Sequence, residues 1–448
     1  MSQWKKVRIG DFLHQYRNTI YVEDTETYRQ ITISSKDGIK YRCSKIGKEI
    51  GRKRQFKIDL KQNPNTVIFT RQGLHEGSIG IAPLEVDGCI ATENMPMFSV
   101  DETIVLSDYL KYFFKSPVFI NLIGTLTPTG SAQKAIHERD LLPLEIFVPD
   151  LVEQERIISE VTESLKKTNS LQKEIDTQKE YAKLIRQNIL QDAIEGKLTA
   201  DWRKSHPVIK GNPDYDAEAL FEKIQKEKES DKKQKELPAI TDEEKPFEIP
   251  KEWKWVRLGE CSYNRFTGPF GSMLHKSDYI KSGIPLINPT NIKDNFIDYQ
   301  SCMMISTQKM KELKHYVLAK NDIILARRGD LSKCGIIEND LKQICGTGCF
   351  FMKLILIDTA FFKLVYQSCK AQAYLLQDSI GQTMANLNQK LLEKLPIPLP
   401  PLCEQEEIVQ IVESKLGKIG QIDFQIQERE IYAKQLIQSI LKDTFEER

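Results

Sequence analysis

The sequence predicts an α+β protein built from two similar globular domains joined by two long antiparallel coiled-coil helices, with internal pseudo-two-fold symmetry. Three observations predict it. The opening Trp4-Lys5-Lys6-Val7-Arg8-Ile9-Gly10-Asp11 returns as Trp253-Lys254-Trp255-Val256-Arg257-Leu258-Gly259-Glu260. Pro149 to Glu155 (PDLVEQE) returns as Pro400 to Glu406 (PPLCEQE), and Tyr181-Ala182-Lys183 returns as Tyr432-Ala433-Lys434. Behind each of these junctions an apolar stripe recurs at helical spacing. So long a repeat is not a solenoid unit; it describes a domain and a helix, each present twice.

The elements follow in order. Residues 1–150 alternate short apolar runs, such as Val67-Ile68-Phe69 and Ile79-Gly80-Ile81, with Gly and Pro, the pattern of mixed strands and turns. Tyr109 to Ile123 reads as a helix. From 151 to 198, Ile158, Val161, Leu165, Thr168, Leu171, Ile175, Ala182, Ile185 and Ile189 step by threes and fours, which predicts a coiled-coil seam of core positions. Residues 199–252 read as a linker of solvated charge with one short helix, Ala217 to Lys228. Residues 253–401 repeat the first domain, with Ile323-Ile324-Leu325 as the strand and Ala360 to Leu376 as the helix; each domain is large enough for one core. Residues 402–448 repeat the helix. Val409, Val412, Leu416, Ile419, Ile422, Ile426, Ala433, Leu436 and Ile440 each lie 251 positions after their counterparts, so the two stripes are expected to pack in register. Gly417 and Gly420 are expected to weaken this second helix locally.

Composition sets wider limits. At 448 residues, with 40% hydrophobic and 28% charged residues, the chain has material for two or three domains and is not disordered throughout. No apolar run is long enough to span a bilayer, and the N-terminus MSQWKKVRIGD lacks the apolar core of a signal peptide, so a cytoplasmic location without membrane contact is expected. The nine cysteines are scattered, and Cys345 and Cys349 have no neighbouring Cys or His pair to complete a zinc site. They read as reduced, mostly buried thiols, and no metal site is expected. Catalytic signatures are missing: there is no Asn-Pro-Pro-Phe/Tyr loop of an adenine methyltransferase, no phosphate-binding Gly-x-x-x-x-Gly-Lys-Ser/Thr and no His-Glu-x-x-His. The acid of Pro149-Asp150 is replaced by proline in Pro400-Pro401, so the position marks helix entry and not a nuclease centre.

The net charge of +1 conceals segregation. Between Lys40 and Asn63 nine basic residues (Lys40, Arg42, Lys45, Lys48, Arg52, Lys53, Arg54, Lys57, Lys61) face only Glu49 and Asp59. Interrupted by Tyr41, Ile46, Ile50 and Phe56, this run suits an ordered surface that binds phosphate, and a two-fold design suits duplex DNA; a solvated basic face without a ligand is the alternative.

The repeated junctions also carry a resemblance. Gly130-Ser131-Ala132-Gln133-Lys134-Ala135-Ile136, then Leu144-Glu145-Ile146-Phe147-Val148-Pro149 and Glu153-Gln154-Glu155, resembles the end of a target recognition domain in specificity (S) subunits of Type I restriction-modification enzymes. Gly381-Gln382-Thr383-Met384-Ala385-Asn386-Leu387, Leu395 to Pro400 and Glu404-Gln405-Glu406 repeat it, and Ala193 to Trp202 (AIEGKLTADW) is similar to the family's central region. The resemblance implies a non-catalytic subunit whose two target recognition domains each read half of a split DNA site. It also implies helices that set the spacing and dock two modification subunits. S-adenosylmethionine, ATP and Mg would belong to modification and restriction partners, with no cofactor bound directly. A methyltransferase-only system and a coiled-coil scaffold remain as alternatives.

Candidate DNA-reading residues come from matched positions. Between the copies the offset is 249 at Trp4, 257 at Lys36, 256 at Arg71 and 251 at Gly130, so the frame agrees while the interiors drift. Arg71-Gln72-Gly73 corresponds to Arg327-Arg328-Gly329, where arginines at Gly-bounded turns suit guanine; an internal salt bridge is the alternative. Lys36 corresponds to Lys293, beside Asn291. Ser131, Gln133 and Lys134 stand opposite Gln382, Thr383 and Asn386, as base or phosphate contacts or as turn-stabilising side chains. Arg42, Arg52, Lys53 and Arg54 complete the set.

Overall fold

Residues 4–126, 135–228, 237–269, 273–293, 296–377 and 386–446 are described in the computed structural model. The chain forms two units, Met1–Gln178 with Gln425–Arg448, and Lys179–Phe424.

Unit 1 runs β1 (Lys5–Arg8), α1 (Ile9–Phe12), β2 (Leu13–Tyr16), β3 (Thr19–Tyr21), β4 (Thr27–Ser34), β5 (Gly38–Ile46), β6 (Arg54–Lys57), β7 (Val67–Phe69), β8 (Ile79–Ile81), β9 (Ile90–Ala91), β10 (Met97–Val100), α2 (Ser107–Phe113), α3 (Pro117–Gly124), α4 (Glu138–Leu141), β11 (Glu145–Val148) and the first part of α5 (Leu151–Ile194). Unit 2 continues α5 and adds α6 (Ala200–Ser205), α7 (Ala217–Lys228), β12 (Lys254–Arg257), β13 (Ser262–Thr267), β14 (Tyr279–Ile280), β15 (Ile284–Ile287), β16 (Met303–Ile305), α8 (Thr307–Glu312), β17 (Val317–Leu318), β18 (Asp322–Ala326), β19 (Cys334–Ile336), β20 (Gln343–Cys345), β21 (Cys349–Leu354), α9 (Thr359–Gln367), α10 (Cys369–Leu376), α11 (Gln389–Lys394), β22 (Pro396–Leu399) and α12 (Leu402–Phe445), which returns to unit 1 from Gln425.

The two globular parts share a frame. Strands β1 and β11 pair antiparallel from Lys5↔Val148 to Arg8↔Glu145, and β12 and β22 pair from Lys254↔Leu399 to Arg257↔Pro396, so the opening motif meets the residues just before the long helix in the same register twice. Four-stranded sheets follow in matching order, β2-β10-β7-β8 and β13-β21-β18-β19. The five-stranded sheets, β3-β6-β9-β4-β5 and β14-β16-β15-β20-β17, both centre on a parallel pair (β4 with β9, β15 with β20) flanked by antiparallel strands. They differ in which side accepts the first strand, β3 lying beside β6 and β14 beside β16. This is the α+β pseudosymmetric architecture that the repeat predicts.

The repeated Glu-Gln-Glu explains how each helix is seated. Buried Gln154 donates to the carbonyls of Ile104 (3.0 Å) and Pro149 (2.9 Å) and accepts from the Leu106 amide (2.8 Å). Gln405, equally buried, donates to the Pro400 carbonyl (2.9 Å) and accepts from the Asp358 amide (2.9 Å). A backbone amide drawn out of water must find a partner, and in both domains the glutamine supplies it to a part-buried amide while locking the helix start to the domain.

Within unit 1 the start of α5 and the end of α12 share a core, with Ile157 and Val161 alongside Leu441 and Phe445, and Arg429 donates to Gln178 (3.4 Å). Within unit 2 the end of α5 and the start of α12 do the same through Ala193, Ile194, Ile408 and Val412, joined by an Arg186–Asp423 ion pair. The seam is narrower than the apolar stripe suggests. Val161, Thr168, Ile175 and Ala182 are buried, as are their repeats Val412, Ile419, Ile426 and Ala433, one position per heptad. Leu171, Ile185, Ile422 and Leu436, expected in the core, remain 37–48% exposed, because the paired helices enclose only one line of residues.

Two further expectations change. The helix expected over Tyr109 to Ile123 is two helices, α2 and α3, because Pro117 cannot donate and Ser116 caps the new start by accepting from the Phe119 amide (3.2 Å). Its repeat breaks likewise at Ser368, which accepts from Ala371 (3.2 Å). The linker is not merely solvated charge. Leu220 and Ile224 of α7 are fully buried in the core of unit 2, and buried Arg257 donates to the carbonyls of Pro238 (3.2 Å) and Ala239 (3.2 Å) and to Glu244 (2.7 Å). Helix α12 runs through Gly417 and Gly420. No described helix is long and apolar enough to cross a membrane.

Candidate nucleic-acid interface

Edge strand β5 carries much of the basic run. Its pairing with β4 slips from Gln30↔Cys43 to Ile31↔Tyr41, leaving Arg42 as an extra, exposed residue in a bulge, the kind of irregularity that re-aims a side chain. Lys36 is exposed in the preceding turn, and Lys40 pairs with Asp37 (3.2 Å). The next basic residues are less free than their sequence suggests. Arg52 and Arg54 both reach Glu93 (3.4 Å each), and Lys53 pairs with Asp24 while donating to the Gly47 carbonyl (2.9 Å). These pairs are exposed and individually weak, yet a phosphate would have to compete with carboxylates that a local charge count does not see. Arg42, Lys45, Lys48, Lys57 and Lys61 have no carboxylate partner among the described residues.

The turn arginines share a backbone frame but not a fate. The carbonyl of Arg71 accepts from Ile136 (2.9 Å), as that of Arg327 accepts from Leu387 (2.8 Å). The Arg71 side chain, however, grips Glu138 with two bonds, Nε to Oε2 at 3.0 Å and Nη2 to Oε1 at 2.5 Å, and Gln15 adds a third (3.1 Å). Burial works to raise the Glu138 carboxyl, but the hydrogen bonds from Arg71 and the others outweigh it, and its pKa lies below the ordinary carboxylate value. The guanine-reading expectation for Arg71 therefore gives way to the internal salt bridge. Arg327 has no such acid: its Nε donates to Asn386 Oδ1 (3.3 Å) and its guanidinium lies 5.8 Å from the Phe350 ring centre. Arg328 is exposed and forms a β-bridge with Asn386, so these three candidates come together. Gln72 is exposed on the corresponding turn of unit 1.

Asn291 does not face outward. It is 3% exposed, accepts from the Asn288 amide (2.8 Å) and donates to Ser301 (3.0 Å), which makes it a turn residue. Lys293 is exposed and donates to the Thr290 carbonyl (3.0 Å). Ser131, Gln133, Lys134, Gln382 and Thr383 lie outside the described residues.

Sequence patterning gives no sign of two other features. In unit 2, buried Glu404 accepts from Thr199 (2.7 Å), Arg203 (2.5 Å) and Trp253 (2.8 Å), tying the start of α12 to α6 and to the residue before β12. The chain between β16 and β18 exposes Lys311 and Lys314 before β17 and Lys320 after it, a basic stretch shorter than the one in unit 1 and easily lost in the average. Among the described residues no cluster of three or more His, Cys, Asp or Glu is placed to hold a metal.

A family profile described as "Type I restriction modification DNA specificity domain" matches residues 250–428. The Type I restriction enzyme EcoAI specificity subunit of Escherichia coli is 27% identical over 367 residues, which are 68% of this chain and 59% of that protein. The EcoBI specificity subunit of the same species is 25% identical over 341 residues, 75% of this chain and 65% of that protein. The chain thus spans less than two thirds of the length of these relatives. A solved structure titled as the basis of complex assembly and conformational transition of the type I R-M system superposes with a TM-score of 0.66 at 18% identity, covering 99% of this chain and 97% of that one, a likeness of fold.

Proposed function

We propose that this chain, similar over residues 250–428 to the Type I restriction modification DNA specificity domain and over 68–75% of its length to specificity subunits of Type I restriction enzymes, is the non-catalytic DNA-reading subunit of such a complex. It serves defence against foreign DNA in the cytoplasm. In this reading 1–150 and 253–401 are target recognition domains, each reading one half of a bipartite site. Residues 151–198 and 402–448 are the conserved helices that set the spacing, and 199–252 is the connector, docked on unit 2. The carrying observation is the duplication at the level of strand register: two equal frames present differing five-stranded sheets, as two half-sites of different sequence require.

Arg42, Arg327, Arg328, Asn386, Lys36 and Lys293 are the described candidates best placed for DNA, since each is exposed or held at the exposed turn and none pairs with a carboxylate among the described residues. Arg52, Lys53 and Arg54 act at most as screened phosphate contacts, while Arg71 and Asn291 hold turns in place. Gln72, Ser131, Gln133, Lys134, Gln382 and Thr383 stand on sequence grounds.

Exposed apolar residues on the helices support two equal docking sites for modification subunits. Leu171 lines a groove with Tyr432 and Leu436 in unit 1, and each has an exposed repeat in unit 2, Ile422, Tyr181 and Ile185, at the same offset of 251. Apolar patches that the protein itself does not cover mark partner surfaces. The partners bring S-adenosylmethionine for adenine methylation, and restriction subunits bring ATP- and Mg-dependent translocation and cleavage. Methylome sequencing of a host with and without the gene tests the whole reading. A split adenine-methylation motif should vanish with the gene; an unchanged methylome refutes it.

A further inference from the structure

The five-stranded sheets allow a comparison that the sequence alignment does not. Matching the parallel pairs, β4 with β15 and β9 with β20, makes β5 equivalent to β16 and β6 equivalent to β17. The β5–β6 connection, which holds Lys48, Arg52 and Lys53, is therefore equivalent to the β16–β17 connection. That second connection is basic too. Residues 306–316 contain Lys309, Lys311 and Lys314 against Glu312 alone, an excess of two, with His315 beside them, and Lys320 follows just past β17.

The connection is rigidly seated. Ser306 caps α8 by accepting from the Lys309 amide (3.1 Å), Leu313 is buried, and Met310 and Tyr316 pack on the same core. Lys309 is used internally, at 3.4 Å from Asp278 and 3.1 Å from Glu312, which leaves Glu312 engaged. Lys311, Lys314 and Lys320 are exposed and have no carboxylate partner among the described residues. In unit 1, by contrast, Arg52 and Lys53 of the equivalent connection are held by Glu93 and Asp24.

We propose that the β16–β17 connection, together with the turn that follows β17, is a phosphate-contacting segment of unit 2, in which Lys311 and Lys314 before β17 and Lys320 after it grip the DNA backbone flanking the half-site that this unit reads. The proposal rests on the DNA-reading function above. Lysine is a compact, hydrated charge on a flexible stem, suited to a phosphate and poorly suited to the bidentate reading of a base. Such contacts fix the position of a domain on the duplex without carrying sequence information. The ordered core beneath the segment holds these charges in place before binding.

The test uses the full chain assembled with its modification subunit, and a duplex carrying the site identified by methylome sequencing, beside a scrambled duplex. Binding is followed by fluorescence anisotropy across a salt series for the native chain, the K311Q/K314Q/K320Q variant and the K311R/K314R/K320R variant. Each lost phosphate contact lowers the slope of log affinity against log salt by about 0.9, so the glutamine variant should lose up to about 2.7. It should weaken on both duplexes, keep the preference between them and keep its unfolding midpoint, while the arginine variant retains the native slope. An unchanged slope in the glutamine variant, or a loss confined to the cognate duplex, overturns the proposal. A native complex that binds neither duplex overturns the DNA-reading function itself.

Discussion

Gln154 and Gln405 show what a single side chain decides in this protein. Each spans the joint between a domain and its helix and satisfies a part-buried backbone amide, so Gln405→Leu leaves the Asp358 amide without its acceptor. The loss is expected to be about 1–3 kcal/mol of stability, read as a lower denaturant midpoint, and Glu406→Gln, one position on and exposed, should cost little. Glu138 makes a pH-dependent contribution. Its folded pKa lies below the unfolded value, so its stabilisation is present above the ordinary carboxylate pKa and is lost as pH falls through the depressed one. Glu138→Gln should therefore lower the unfolding midpoint at neutral pH and flatten its fall on the acid side; parallel acid profiles would refute the role. Neither bond is legible in the sequence. The Arg71 to Glu138 pair spans 67 residues, and the motif Glu-Gln-Glu announces a repeat without saying which carbonyls its glutamine will reach. Local charge counting fails at Arg52 and Arg54 for the same reason, since Glu93 arrives from a distant loop.

The long helices were far more legible as elements, because a period persists where a contact does not. Spacing predicts both helices and their common offset, yet overstates the width of the buried seam: periodicity shows which residues share a face, not how much of that face a partner helix covers. Helix ends depend on particular residues. Helix α5 stops at Gly196, whose φ of +69° lets its amide reach the Ala193 carbonyl (3.1 Å) while that of Lys197 reaches Asp192 (2.9 Å). A Cβ there would also meet Pro250 at 2.6 Å. Gly196→Ala should destabilise unit 2 by about 1–2 kcal/mol from the left-handed backbone alone. The check is thermal unfolding beside Gly417→Ala, a helical site with open space, which should hold or raise the midpoint.

For the whole molecule, the buried period of seven dictates how the proposed spacing can be re-engineered. Lengthening one helix alone would put Val161, Thr168, Ile175 and Ala182 out of step with their partners, so insertions must be of seven residues and made in both helices, near Gln178 and Arg429. Each insertion adds about 10.5 Å of helix, close to the rise of about three base pairs. The methylated motif should keep both half-sites and gain about that many base pairs between them. A folded, active variant that methylates at the old spacing would show that the helices do not set it. The in-register pairs β1–β11 and β12–β22 carry a separate consequence. Because each domain begins and ends on adjacent antiparallel strands, its two ends lie side by side. A segment attached in this way is a natural cassette. Recombination whose breakpoints fall at the Trp-x-x-Val-Arg motif and the Glu-Gln-Glu motif would exchange one sheet assembly for another while keeping the helix sequences, so under the proposed DNA-reading function new specificities would arise by shuffling and not only by the slow drift of individual side chains.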